Sequence, residues 1–174
     1  MALLSRRPRP PAEILGRLEK EERVVSWASV SGGDEPTAVV ATPLGLWWPD
    51  AEGPRRIGWH LISKAVWRDS QLIVTEAELV DDLLLVDLPP VAVTLSEPRD
   101  LPEKVRQRVE ASVIYSETAT VDGGSVRFVG RRVPGRDGLS WWARLEGGAT
   151  DNPPLREAVT LRLERLQAAW TPSE

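Results

Sequence analysis

Two tryptophan pairs, Trp47 with Trp48 and Trp141 with Trp142, each sit in a short apolar run between turn residues. In an extended chain successive side chains point to opposite faces, so only one member of each pair can enter a given core. The other needs a second covering layer, because a buried Trp withdraws on the order of 200 Å² from water. The pairs therefore predict strands wrapped on both faces. The preferred covering is one lobe of the chain packed on another. The alternative is a partner surface anchored by Trp47 and Trp142, since Trp is enriched among interface hot spots.

The rest of the chain fits this demand. Residues 1–10 are basic and rich in Pro, a tail expected to be disordered. Residues 11–22 predict a short helix with Ile14, Leu15 and Leu18 on one face. Strands are predicted at 23–30, 37–41, 44–48, 55–62, 64–68, 72–78 and 91–95, separated by turns rich in Gly, Pro and Asp. In the fourth, Ile57, Trp59 and Leu61 alternate with Arg56, Gly58 and His60; in the fifth, Ala65 and Trp67 point inward. Residues 100–113 then break the pattern. Asp100 and Glu103 have capping-box spacing, and Leu101, Val105, Val109 and Val113 form an apolar stripe. Strands at 115–121 and 125–133 flank Asp122-Gly123-Gly124, a hairpin turn, and a third strand covers 139–146. Asn152 and Pro153 open a last helix whose apolar face carries Leu155, Val159, Leu163, Leu166 and Trp170. The fold class is α+β, mostly β. Three segments are expected: 1–21 as tail and short helix, 22–113 as a strand-rich barrel closed by a helix, and 114–174 as an appended lobe of three strands and a helix.

Composition excludes several chemistries. The 174 residues include no Cys and one His, His60. No disulfide, Cys-held metal or thiol nucleophile is possible, and any Ser–His relay would have to use His60. No nucleophile elbow, Walker A loop or dinucleotide fingerprint occurs. The acidic run of Glu76, Glu78, Asp81, Asp82 and Asp87 lacks the spacing of a calcium loop and reads as a solvated rim. No catalytic residue, metal or cofactor is expected. The arginines at positions 6 and 7 are followed by Pro rather than an apolar stretch, so no signal peptide is read and a cytoplasmic location is expected.

Thr42, Gly45-Leu46-Trp47, Arg56-Ile57-Gly58-Trp59 and residues 62–66 form a pattern that resembles bacterial pleckstrin-homology-like (GRAM-like) domains. The resemblance spans roughly residues 22–112 and implies a seven-strand bent barrel plugged by a C-terminal helix. Members are mostly binding modules. The basic set is 19 Arg against three Lys, a bias that reads as a high-GC, actinobacterial-type genome. Phosphoinositide-binding members carry basic residues on the first two strands and their loop. That loop is acidic here (Gly32-Gly33-Asp34-Glu35), so a membrane surface is not the expected partner.

Three binding surfaces follow. A protein or peptide partner, the leading expectation for a non-enzymatic adaptor, would dock on Trp47 or Trp142 with Arg127 and Arg131 as orienting groups. An anionic ligand would sit on Arg55, Arg56, Lys64 and Arg68, if the two strands bearing them pair and share an outer face. Nucleic acid would use the C-terminal hairpin, where Arg127, Arg131, Arg132, Arg136 and Arg144 lie beside Trp141 and Trp142. The net charge of −4 disfavours this last reading.

Overall fold

The computed structural model describes residues 8–170; residues 1–7 of the basic tail lie outside them. Among the described residues eleven strands form one hydrogen-bonded network, with three α-helices. The chain is mostly β with a C-terminal helix, as its periodicities require. The elements are α1 (Ala12–Leu15), β1 (Ser26–Val30), β2 (Ala38–Ala41), β3 (Leu46–Trp48), β4 (Arg55–Ile57), a 3₁₀ turn (Trp59–Leu61), β5 (Ile62–Arg68), β6 (Gln71–Val80), β7 (Leu84–Asp87), β8 (Val91–Ser96), α2 (Leu101–Ser112), β9 (Val113–Val121), β10 (Gly124–Arg131), β11 (Ser140–Glu146) and α3 (Pro153–Ala169).

Seven strands run antiparallel in the order β4-β3-β2-β1-β8-β6-β5. They share one core with α2: Val39, Leu46, Trp48, Ile57, Ile62, Leu72 and Leu95 meet Leu101, Val105 and Val109. The i+4 stripe of α2 is thus its buried face. Asp100 does not cap the helix; it accepts a 2.6 Å hydrogen bond from Ser26 Oγ instead. Gly45 allows the tight β3–β4 approach, where a Cβ would stand 2.4 Å from the Ile57 carbonyl oxygen.

Strand β6 is long enough to serve two cores. Residues Gln71 to Val74 pair with both β5 and β8, and Ala77 to Val80 pair with β7. β7 then meets β11 in parallel, with Ala143 opposite Leu84 and the Ala143 amide donating to the Leu83 carbonyl at 3.0 Å. Beyond it lies the antiparallel set β11-β10-β9, with α3 packed on one face through Leu155, Val159 and Leu163 against Val126, Phe128 and Leu84. Asp122 and Gly123 both take positive φ (46° and 76°), as the tight β9–β10 turn requires. Asn152 caps α3, its Oδ1 accepting from the Leu155 amide at 2.9 Å.

Four local expectations are corrected. The first helix covers Ala12–Leu15 rather than 11–22. The strand expected over 55–62 stops at Ile57, and Gly58 leads into the 3₁₀ turn. Trp67 is not buried with Ala65; it is 40% exposed, at the open end of the core beside Leu72 and Pro102. Leu84–Asp87, an apolar run with no predicted strand, forms β7.

Both members of the first tryptophan pair are buried. Trp48 enters the seven-strand core, whereas Trp47 lies on the opposite face under Ile14, Leu18, Val24 and Trp27. The covering layer is the N-terminal segment, not the C-terminal lobe. Glu22 fastens it. Its side chain is fully enclosed and accepts from Thr42 Oγ1, Trp47 Nε1 (3.0 Å), Arg56 Nη1 (2.8 Å) and the Glu19 amide (3.1 Å). Burial pushes the Glu22 carboxyl up; the Thr42, Glu19 and Trp47 hydrogen bonds and the Arg56 charge outweigh it and hold the group below the usual carboxylate range.

Candidate functional site

The cations expected to share one face do not meet. β4 pairs with β3 and not with β5, so no hairpin places Arg56 beside Lys64 and Arg68. Arg55 is forked onto Glu76 at 2.8 and 2.7 Å and also holds Asp50. Arg56 is held by Glu19 and Glu22 and lies over the Trp47 ring. Arg68 is well exposed, with only Asp69 at 3.5 Å. Arg55 lines a small cavity of about 340 Å³, where Glu76 already holds it, and Lys64 lines a larger one.

That cavity is a cleft of about 830 Å³ between β5 and the face of β7, β10 and β11 opposite α3. Alternation along the strands builds its floor. Arg127 and Arg144 stand directly opposite each other across β10 and β11, and Arg131 follows on the same strand face as Arg127. Like charges directly opposite are unfavourable unless counter-charges hold them apart. Glu146 takes Arg127 at 2.8 Å, and Asp87 takes Arg144 and also accepts from Ser63 Oγ. Burial raises the Asp87 carboxyl, but the bonds from Ser63 and Arg144 hold it below the ordinary range, which makes it a poor proton acceptor at neutral pH.

Arg131 makes no ion pair among the described residues, although the Asp87 charge reaches it. It is only 4% exposed, and its Nη1 bonds to neutral acceptors: the carbonyls of Trp59, His60 (3.1 Å) and Ile62 (3.1 Å) and Ser112 Oγ. Its Nε and the Arg144 Nη2 are buried without an acceptor among the described residues. Burial, with the Arg144 charge beside it, draws the Arg131 guanidinium down to about 10, against a smaller upward pull from the Asp87 carboxylate. The cleft is thus electropositive in a chain whose net charge is −4.

The surfaces expected to carry a partner also change. Trp47 and Trp142 are 7% and 5% exposed, and Arg131 is buried, so none of them offers a docking anchor. Only Arg127 of that group is about half exposed. Trp142 lies between the two cores, against Ala77, Leu85, Val129 and Val133, with the His60 ring stacked on it at 5.8 Å. Phe128 and Trp141 pack toward α3, on the sheet face opposite Arg127, so the arginines and aromatics of the hairpin are not interleaved on one open surface.

His60 belongs to the junction rather than to any relay. Gly58 makes room for its ring, because a Cβ there would stand 2.5 Å from His60 Cε1. Burial and the charges of Arg131 and Arg136 push its pKa from 6.5 down to about 4. The unfolded chain therefore takes up the proton first as pH falls, and stability drops between pH 6.5 and 4 by on the order of 2–3 kcal/mol. His60→Gln is expected to flatten this slope between pH 6.5 and 5 in urea titrations. In proton NMR the native imidazole should not titrate between pH 8 and 5.

Among the described residues no cluster of three or more His, Cys, Asp or Glu is placed to hold a metal ion, and no helix is long and apolar enough to cross a membrane. Comparison of the chain with family models, curated proteins and solved structures gave no match.

Proposed function

We propose that the chain is a non-enzymatic binding module that takes an anionic group into the cleft beneath Lys64, Arg127, Arg131 and Arg144. The observation that carries this reading is Arg131, a buried cation bonded only to neutral acceptors. A buried cation that shares its nearest carboxylate, Asp87, with Arg144 is costly, and an anion in the cleft would supply a charge of its own. Arg144, with one guanidinium nitrogen free of any acceptor, is suited to share it.

The module reading rests further on architecture. The antiparallel order β4-β3-β2-β1-β8-β6-β5 with α2 in its core supports the resemblance to pleckstrin-homology-like domains, and its motif residues Thr42, Trp47 and Trp59 take part in the hydrogen bonds that tie these strands together. We propose that the seven-strand unit is of that type, with the C-terminal strands as the lobe that completes the cleft.

Acetate and inorganic phosphate serve as probes. Titration at low salt is expected to shift the amide signals of β10 and β11, with affinity weakening as ionic strength rises. Arg144→Gln should weaken binding at least tenfold, and Arg127→Ala, a half-exposed position, should weaken it less. No shift at those strands with either anion at low salt would overturn the reading.

A further inference from the structure

We infer that the outer edge of β9 is a self-association surface, through which two copies of the chain join their C-terminal sheets as an antiparallel strand pair. Among the described residues β9 bonds only to β10, and its other side has no backbone partner along Val113–Val121. Positive φ at Asp122 and Gly123 marks a two-residue turn, which makes Val121 and Gly124 a hydrogen-bonded pair. Alternation then turns the N–H and C=O groups of Thr120, Thr118 and Ser116 away from β10. Their side chains are exposed, so nothing in the chain overhangs them.

The other open edges are guarded, and this one is not. β4 is three residues long, and β5 carries exposed Lys64 and Arg68. Short edges and basic side chains are the usual protection against strand pairing. β9 has nine residues and no Lys, Arg or Pro. Its one charge, Glu117, is neutralised by Arg162 at 2.6 Å on the α3 face.

Symmetry selects the occupant. A two-fold axis at Thr118 sets Thr118 against its own counterpart and Ser116 against Thr120, so each outward backbone group meets its complement. An axis at Glu117 would set two carboxylates directly opposite, which is unfavourable. The Thr118 register also covers apolar surface. Beside the edge, Ala119, Val121, Ala158 and Leu161 line a groove of about 370 Å³, and Leu161 is 49% exposed. Tyr115 of the second copy stands opposite Val121, on the sheet face that carries Leu161, and closes this groove. An unrelated strand could match the backbone alone; a second copy brings the ring as well. Each copy offers one such edge, so assembly closes at two.

Sedimentation equilibrium of the full chain from micromolar to millimolar concentration is expected to show a mass rising from 19.3 kDa toward that of two chains and no further. Hydrogen exchange of the wild-type chain should slow at least tenfold at the Ser116, Thr118 and Thr120 amides over the same range, with a smaller change at Glu117 and Ala119, which already face β10. Thr118→Lys, at an exposed position, opposes two like charges across the axis and should raise the dissociation constant at least tenfold; Thr118→Val should not. A monomer at every concentration, a dimer indifferent to Thr118→Lys, growth beyond two chains, or association without slowing at those three amides would each overturn the inference.

Discussion

Glu22→Ala is expected to lower the unfolding free energy by about 3–5 kcal/mol, which for a chain of this length lowers Tm by roughly 10 °C. The wild-type carboxylate is enclosed and satisfied by four donors on three parts of the chain: Thr42, Trp47, Arg56 and the Glu19 amide. Removing it strands the buried Trp47 indole N–H and leaves Arg56 with Glu19 as its remaining partner, and a buried donor left unmatched loses its full hydration. Glu22→Gln separates charge from shape. It keeps the volume and one acceptor oxygen but faces Arg56 with a neutral amide, so it should lose most of the same stability. The pH dependence has a definite sign. Because the folded carboxyl sits below its ordinary range, its contribution is complete above that range and fades as pH falls through the folded value. Urea denaturation of both variants at pH 7 and pH 4 checks this: the gap between wild type and Glu22→Gln should narrow on acidification. A loss below 1 kcal/mol for Glu22→Ala would mean that the N-terminal segment is not fastened through this residue.

The second large effect is at Trp142. Trp142→Ala leaves a cavity between the two cores where Ala77, Leu85, Val129, Val133 and the His60 ring now meet it, and such truncations cost about 3–5 kcal/mol. The variant carries a second readout. Opening the junction wets the imidazole, so the pKa of His60 should climb from about 4 toward 6.5. Destabilisation with no movement of His60 would show that burial by Trp142 is not what holds the imidazole neutral. Trp67→Ala is the contrasting control: at 40% exposure it should cost less than Trp142→Ala and leave the His60 pKa unmoved.

What could be read from the residues alone divides by range. The stripe of α2 and the Asn152 cap of α3 are local, repeating signals, and the chain obeys them. The tryptophan pairs correctly demanded a second covered face at Trp47, but alternation says only that a cover exists. Its identity depends on Glu22, a residue type that is almost always solvated, so nothing in its neighbourhood marks it as enclosed. β7 escaped because four residues between two positive-φ aspartates and a pair of prolines carry no period. That omission hid the cleft as well. The sequence pattern groups Lys64 with Arg55, Arg56 and Arg68 and sets Arg127 and Arg131 on an outer surface, whereas the fold brings Lys64, Arg127 and Arg131 to one cleft. Their convergence depends on the parallel contact of β7 with β11, residues 84 and 143 in register, and no local spacing encodes so distant a pairing. The grouping of Arg55 and Arg56 failed for a related reason: each had an acidic partner from a remote segment, Glu76 for one and Glu22 for the other.

The shared strand β6 also imposes an order on how the molecule can be made. Every partner of β1 to β6, β8 and α2 within the seven-strand core precedes residue 113, so that half can close while the remainder is still being synthesised. The outer edge of β7 has no such luxury. It stays unpaired until residues 140–146 leave the ribosome, and α3 must follow before Leu84 and Phe128 are covered. For that interval the nascent chain presents an open strand edge beside an apolar face, the combination most prone to pairing with a neighbour. Slow translation or a stall between residues 113 and 140 should therefore do more harm to yield than one anywhere earlier in the chain.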